Sequence, residues 1–462
     1  MVAWNARGPW LGVARGHNVC DSPRMRVALA THGCRLNQSE TDAMEAALVA
    51  AGHDIADGPE DAEVYVLNSC TITHQADADA RAQIRRAKRR NPSVRVLVTG
   101  CYANAEPEVV AAMPEVDAVL GNGEKDALRT VLEGLRPTQA DQESAPLVQV
   151  TTLKRRTTLT QLTAAPPRRR TRSLLKVQDG CNYRCSFCIV PQVRGGSRSL
   201  TIDDVVAQAR GLVEAGAPEI VLTGIHLGTY GRDLRPRVRL ADLVAAVLPV
   251  LGPAEGGARL RLSSLDPHEV DDDLIALMAE HAPQLCRYLH LPVQSGDPDV
   301  LRAMRRGHTA EDFAALTAKL AERVPGIGIG TDVIVGFPGE TDAAFENTYA
   351  LLRDAPVAYH HVFTYSVRKG TAAATMPDQV PPPVKAERNK ALRELSGVQT
   401  DAFAMRFEGQ RLDAVIERGR HAYPMALADN YVRVPLVEGA LEVGQRGSIE
   451  LRRQGDQLVG VA

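Results

Sequence analysis

The sequence has no long apolar run and almost no net charge, and each absence excludes something. None of the 462 residues belongs to a stretch approaching the ~20 consecutive apolar residues that a membrane-spanning helix needs. The opening MVAWNARGPWLGVARGHNVCDSPR also lacks a continuous apolar core, so it does not read as a secretory signal. Met25 stands directly before the strand-like RVALATHG, so residues 1–24 read as an extension or a misassigned start. A formal net charge of -2 gives a polyanion no overall attraction, and any nucleic-acid binding must come from local basic patches. With 44% hydrophobic and 24% charged residues the chain is neither fibrous nor disordered, and it is long enough for two or three domains with their own cores. The expectation is a cytoplasmic protein with no membrane partner. In that reducing setting eight cysteines are not a disulfide framework, which leaves metal ligation, catalysis or burial.

Three stretches, RVALATHGC, AEVYVLNSC and VRVLVTGC, are apolar runs that end at Cys34, Cys70 and Cys101, and each leads into a helical pattern. The separations of 36 and 31 residues match a repeating strand-helix unit. Parallel strands joined by right-handed crossovers align their carboxyl ends, so these three cysteines are expected to converge at one sheet edge. Residues 25–135 form this α/β domain. Residues 136–172, with polar QADQES, a possible strand LVQVTTL and the run TAAPPRRRTR, read as a linker; Arg168, Arg169, Arg170 and Arg172 are either a solvated connector or a nucleic-acid contact. From 173 to 400 strand and helix alternate about six times, predicting a full or partial parallel (β/α)6 barrel with its function at the strand carboxyl ends. Residues 401–462 break into short strands and read as a small antiparallel β-barrel.

Within DGCNYRCSFCIV, Cys181, Cys185 and Cys188 present three soft thiolates, the donors preferred by iron-sulfur clusters and zinc. Structural zinc wants a fourth ligand, and the nearest histidines, His226 and His268, are far away in sequence. A thioredoxin-type Cys185-x-x-Cys188 pair has no need of Cys181. Three thiolates on a four-iron cube leave one iron open for chemistry, while zinc and redox thiols stay as alternatives. His226, His290 and His361 read as packed or hydrogen-bonded residues, Cys286 as a buried thiol, and Cys20 has no partner at ligand spacing.

CNYRCSFCIVPQVRGGSRS resembles the signature of the radical S-adenosylmethionine superfamily, with Phe187 before the third cysteine. HGCRLNQSET, NSCTITHQAD and VTGCYAN resemble the amino-terminal domain of the methylthiotransferases, and HLPVQSGDPDVLRAMRRGH and GTDVIVGFPGET are similar to motifs of the same family. The resemblance runs over nearly the whole chain from Met25 and includes a terminal barrel similar to a shortened TRAM domain. It implies S-adenosylmethionine and two [4Fe-4S] clusters. One, on Cys181, Cys185 and Cys188, holds S-adenosylmethionine and starts the radical; the other, on Cys34, Cys70 and Cys101, carries the sulfur to be transferred. It implies a flavodoxin- or ferredoxin-type electron donor and a sulfur donor. Thr223 and Gly224 stand where the superfamily contacts the methionine amino group of S-adenosylmethionine through backbone, or form a plain strand-ending turn; Ser264, Gln294, Ser295 and Asp332 are further cofactor candidates because they end later strands, where barrel sites sit, and Arg194 is a bidentate carboxylate partner or an exposed loop residue.

The family modifies tRNA adenosines beside the anticodon or an aspartate of a ribosomal protein. Residues 75–91 form a helix bearing Arg81, Arg85, Arg86, Lys88, Arg89 and Arg90, a surface suited to tRNA phosphates; Arg411, Arg418, Arg420, Arg452 and Arg453 add charge on the terminal barrel. CTITHQADADARAQIRRAKRRNP and HGCRLNQSET, with Arg35-Leu36-Asn37 after the first cysteine, look most like the MtaB branch, which acts on N6-threonylcarbamoyladenosine at tRNA position 37. The isopentenyladenosine branch usually has Gln-Met-Asn there and the ribosomal branch Pro-Lys-Asn. The chain departs from the MtaB pattern where Lys-Val and, at His74, Asn are more usual. A reading from another class, a two-cluster electron carrier or sensor, needs no barrel-sized substrate cavity.

Overall fold

The structure is a computed structural model that describes residues 24–135, 145–151, 153, 159, 162–419 and 423–462. The amino-terminal extension with Cys20, most of 136–161, and Arg420 lie outside the described residues.

In the first domain β1 (Arg26–Thr31), β2 (Asp54–Ile55), β3 (Val64–Ser69), β4 (Arg95–Gly100), β5 (Ala118–Leu120) and β6 (Leu147–Gln149) form one parallel sheet in the order β2-β1-β3-β4-β5-β6. Runs such as VYVLNS are buried throughout because helices cover both faces of a parallel sheet. The crossover helices α1 (Arg35–Ala50) and α2 (His74–Arg90) start where strands end. Register sets Thr31 beside Asn68 and Ser69 beside Gly100, so the segments carrying Cys34, Cys70 and Cys101 leave the sheet side by side, as their spacing predicts. The expected linker is partly structure, since β6 extends this sheet beyond residue 135.

The second domain begins with β7 (Ser173–Lys176). The short antiparallel strands β8 (Gln178–Asp179) and β9 (Arg198–Ser199) frame the loop holding Cys181, Cys185 and Cys188. Then β10 (Glu219–Thr223), β11 (Arg259–Leu262), β12 (Tyr288–His290), β13 (Gly328–Val335) and β14 (Tyr359–Thr364) follow with helices between them. β7, β10 and β11 pair in parallel, as do β12, β13 and β14, and a parallel bridge from Leu260 to Leu285 joins the two halves into an open six-stranded barrel wall. Its helices are built conventionally: Thr201 Oγ1 accepts from Asp204 N–H to cap Ile202–Glu214, which buries Val205, Ala209 and Leu212.

The carboxyl-terminal strands β15 (Arg411–Glu417), β16 (Met425–Ala428), β17 (Arg433–Glu438), β18 (Arg446–Gln454) and β19 (Gln457–Val461) close in the order β15-β16-β17-β19-β18. The barrel is not wholly antiparallel: β19 returns beside β17 in parallel, which removes the free edge. The boundary expected at 400/401 falls inside the helix Pro382–Met405, whose Phe403 packs on the barrel core. Among the described residues no helix is long and apolar enough to cross a membrane.

The basic run is a staple. Arg169 pairs with Asp57, Arg170 with Asp42 and Gln38, and Arg172 with Glu417 of the barrel. Beneath it Glu219 receives Arg259 and Arg261, which also donate to Asp413 and to the Leu427, Ala428 and Asp429 carbonyls. Burial alone would raise the Glu219 carboxyl; Arg261, Arg259 and Arg172 hold it far below the usual carboxylate range.

Candidate metal centres and the cavity between them

Two glycines bring the early cysteines together. Gly33 (φ +114°) and Gly100 (φ +97°) occupy backbone conformations that a side chain resists, and a Cβ on Gly33 would stand 2.6 Å from that of Cys70. On Gly100 it would stand 2.3 Å from the Ser69 carbonyl oxygen. Cys34 precedes α1 and is exposed, Cys70 follows β3, and Cys101 opens α3 (Cys101–Ala105); the last two are buried. Asn37 bonds the His32 and Ser69 carbonyls and so locks the Cys34 turn to the Cys70 strand.

Behind this trio lies a buried charge cluster. Arg194, fully buried, donates its Nε to Cys101 Sγ at 3.3 Å, and its other nitrogens to Glu40 at 3.0 Å, Asp179 at 3.1 Å and Asn37. Lys125 and Lys176 both reach Glu40, and Arg198 lies 3.9 Å from Asp179. Burial would raise the Glu40 carboxyl, but Arg194, Lys125 and Lys176 keep it well below its ordinary value. Four cations against two carboxylates leave this pocket positive beside three thiols; burial nevertheless pushes the Cys34 thiol up and that of Cys70 up to about 12, with Arg194 pulling both down, so the positive pocket suits an anionic metal group that would hold them as thiolates.

The second trio is held from the barrel side. Cys181 N–H donates to the Gly195 carbonyl and Cys188 N–H to that of Cys185. His226 Nδ1 lies 3.3 Å from Cys181 Sγ with its Nε2 2.8 Å from Glu269. Arg306 Nη1 lies 3.5 Å from Cys185 Sγ and pairs with Asp266, which also takes bonds from His268 and His308. His226 is hydrogen-bonded, as expected of it, and Arg306 supplies a positive charge the sequence reading did not single out. The two trios are neighbours: Cys101 packs against Ile189 and Val193, just beyond Cys188.

Among the described residues neither trio has all its sulfurs within 4.8 Å of one another. A tetrahedral ion with bonds of about 2.3 Å would draw three sulfurs to roughly 3.8 Å. Three thiolates with no fourth protein ligand among the described residues are the donor set of a polynuclear cluster that takes each thiolate on a separate metal.

A cavity of about 230 Å³ lies between the domains. Ile72 and Thr73, just after Cys70, form one side; Phe187, Cys188, Gln294, Asp332 and Phe363 form the other. Two expected cofactor residues, Gln294 and Asp332, therefore share a cavity with a cluster cysteine, and Gln294 does so with φ +71°. Thr223 is buried at the end of β10 with its carbonyl accepting from Val177, while a Cβ on neighbouring Gly224 would crowd Gln178 Oε1 at 2.8 Å. Ser264 is exposed. Ser295 turns away instead, its hydroxyl bonded to Thr348 and Asp297 N–H, because it supports the turn into the next helix. Arg194 is neither an exposed loop residue nor free to clamp a cofactor carboxylate, since Glu40 and Asp179 already fill its fork.

The helix expected over 75–91 is α2, and its positive surface is thinner than its composition implies. Arg81 bonds Tyr102, Arg85 faces Glu115, Lys88 faces Asp117 and Arg90 pairs with Glu60. Arg86 and Arg89 are exposed with no ion-pair partner among the described residues. On the barrel Arg452 pairs with Glu450 and Arg453 with Glu408.

Residues 175–352 match the Radical SAM superfamily and residues 26–121 match uncharacterized protein family UPF0004. The threonylcarbamoyladenosine tRNA methylthiotransferase MtaB of Bacillus subtilis (strain 168) is 38% identical over 88% of this chain and 89% of its own length. That of Rickettsia prowazekii (strain Madrid E) is 36% identical over 94% and 96%. A tRNA-2-methylthio-N(6)-dimethylallyladenosine synthase of Moorella thermoacetica is 33% identical over 85% and 87%. Among solved structures, the radical S-adenosylmethionine methyltransferase TsrM from Kitasatospora setae aligns with a TM-score of 0.55 at 16% identity, over 76% of this chain and 77% of that one, and so shares its fold. With both cysteine trios in place and relatives of this identity spanning most of the sequence, the chain belongs to the radical S-adenosylmethionine methylthiotransferase family, in its MtaB branch.

Proposed function

We propose that this protein methylthiolates N6-threonylcarbamoyladenosine at position 37 of tRNA, using S-adenosylmethionine and two [4Fe-4S] clusters, in the cytoplasm. The observation that carries the reading is an interdomain cavity lined by Cys188 and by Ile72 and Thr73 just after Cys70, in a chain 36–38% identical to relatives bearing that activity in their names. An electron carrier would need neither the cavity nor its polar residues. Cys34, Cys70 and Cys101 would hold one cluster, and Cys181, Cys185 and Cys188 the other. When bound, these groups and S-adenosylmethionine supply the electron, the hydrogen-abstracting radical and the methylated sulfur. A flavodoxin- or ferredoxin-type protein would deliver the electron, and a separate donor the sulfur.

The chain's own contribution is holding and excluding. Arg306 and His226 fix the Cys185 and Cys181 side chains, and Arg194 steadies Cys101. Arg368 bonds Asp77 and Thr71, and Ser366 accepts from His74 N–H, so the segment after Cys70 is pinned to the barrel end. Ile72, Phe187, Ile334 and Phe363 make the cavity largely apolar, which keeps water from a reactive intermediate, while Gln294 and Asp332 offer the polar contacts. Arg86 and Arg89 would meet RNA phosphates. Mass spectrometry of tRNA from a deletion strain tests the assignment. The 2-methylthio group should vanish from threonylcarbamoyladenosine and persist on isopentenyladenosine; the opposite pattern, or no change, would overturn it.

A further inference from the structure

A strip of side chains runs from the cavity at Cys188 to Arg35 beside Cys34, and it has a distinctive composition. At one end Asp332 lines the cavity with Cys188 and pairs with His290 Nε2 at 2.8 Å. His290 Nδ1 is 3.3 Å from the Tyr288 hydroxyl, which also meets that of Tyr359. Tyr288 stacks on Tyr431 of the terminal barrel, their centroids 4.2 Å apart and their planes 17° from parallel. His361 lies 5.7 Å from His290 and 5.1 Å from Tyr359, ring to ring. At the other end stands Arg35, next in sequence to Cys34, whose Nη2 donates to the Tyr431 hydroxyl at 3.1 Å. Strands β12, β13 and β14, the amino-terminal domain and the terminal barrel all contribute. Tyr288 is buried beneath Tyr431, whereas Tyr359 and Tyr431 are only half-buried and His361 is exposed; flat rings with open surface of this kind suit a purine.

Arg35 differs from the other inward-facing arginines. Arg194, Arg259, Arg261, Arg306, Arg368 and Arg388 each hold a carboxylate. Half-buried Arg35 has no carboxylate within 4.0 Å among the described residues, and its hydrogen bond is to a neutral phenol. The acids near the strip are committed elsewhere: Asp332 to His290, Glu219 to Arg259 and Arg261, and Asp429 to Arg287. A half-buried guanidinium left with only a neutral partner is a receptor for an anion.

We propose that Arg35 binds the carboxylate on the N6 substituent of the target adenosine and thereby selects threonylcarbamoyladenosine over bases with an uncharged N6 group. This rests on the function proposed above. The Arg35–Tyr431 bond is then the resting contact, exchanged for a charge-assisted pair when the base enters. His361, Asp332, His290 and Tyr359 would bound the same site, with Arg35 the cation not already neutralised by an acid.

The test uses full-length reconstituted enzyme and anticodon stem-loop RNA carrying N6-threonylcarbamoyladenosine, beside the same RNA with the threonine carboxylate converted to its primary amide. The readout is the ratio of kcat/KM for acid over amide, which is insensitive to partial loss of active protein. Wild type should favour the acid by about 10- to 100-fold, the range of a charge-assisted hydrogen bond of about 1.5–3 kcal/mol. Arg35→Gln should bring the ratio near one, mainly through KM, and Arg35→Lys should retain part of it. If Arg35→Gln or, where that variant fails to fold, Arg35→Met discriminates as wild type does, the inference is wrong although the activity stands. If wild type methylthiolates neither RNA, the functional reading itself fails and takes the inference with it.

Discussion

At the scale of single residues, the chemistry rests on charges that burial has made costly. Arg194 sits on the loop of one cysteine trio and donates to a sulfur of the other, so it ties the two candidate clusters together as well as carrying charge. A cation and N–H donor at a ligand sulfur stabilises the reduced, more negative cluster. Arg194→Gln should therefore move the potential of the Cys34/Cys70/Cys101 cluster to more negative values, and electron paramagnetic resonance in a redox titration should find the other cluster's potential unmoved. It also leaves Glu40 and Asp179 short of a partner, at about 3–5 kcal/mol in stability. Arg194→Lys, keeping the charge, should shift the potential less. The cysteines were legible in sequence because strand length and crossover length together fix where a strand's end residue goes. Arg194 was not, since a lone arginine after a loop reads as exposed, and only the fold shows that two domains close over it.

At the scale of elements, the joints are polar. Glu219 fastens β10 to β11, and through Arg259 and Arg261 to the terminal barrel. Its folded-state carboxyl titrates below the unfolded value of about 4.3, so below that pH the unfolded chain binds more protons and stability rises with pH. This contribution is fully present at neutral pH and is lost as pH falls under about 4.3. Glu219→Gln should cost about 3–5 kcal/mol at pH 7 by stranding two buried guanidinium groups. Its melting temperature should then fall less steeply between pH 5 and pH 3 than that of wild type, a comparison differential scanning fluorimetry reads directly. The Arg368–Asp77–Thr71 joint has another role, since it carries no part of either cysteine trio. Arg368→Met should let the first domain drift. Methylthiolation should fall about 100-fold, the cost of misplacing reacting groups by about 1 Å, while 5'-deoxyadenosine formation continues. Equal losses of both would show that the joint does not set the cluster-to-cluster geometry. Strands and helices were readable from periodicity and caps. These joints were not: in the sequence Arg168 to Arg172 is only a charge run, and its partners Asp42, Asp57 and Glu417 lie more than a hundred residues away.

At the scale of the whole molecule, a chain of net charge -2 that handles RNA must divide its labour unevenly. On α2 and the terminal barrel Arg85, Arg90, Arg433, Arg452 and Arg453 are answered by local acids, so these are not free to release counterions from phosphate. Helix α2 begins beside the cavity, and Arg86 and Arg89 stand roughly 20 Å further along it at about 1.5 Å per residue. That is a reach suited to the stem flanking a loop whose base has entered. Binding should accordingly be modest and only weakly salt-dependent. The double variant Arg86→Ala/Arg89→Ala should reduce the slope of log affinity against log salt by about 1 to 2, since each phosphate no longer neutralised is worth about 0.7–0.9. Fluorescence anisotropy with the anticodon stem-loop between low and physiological salt measures this. The weakening should be equal for modified and unmodified RNA, because interactions with the backbone position a nucleic acid without reading it. Arg35 should behave in the opposite way, changing the preference among bases and leaving the salt slope nearly intact. If removing Arg86 and Arg89 altered base preference instead, the separation of grip from recognition argued from this charge pattern would not hold.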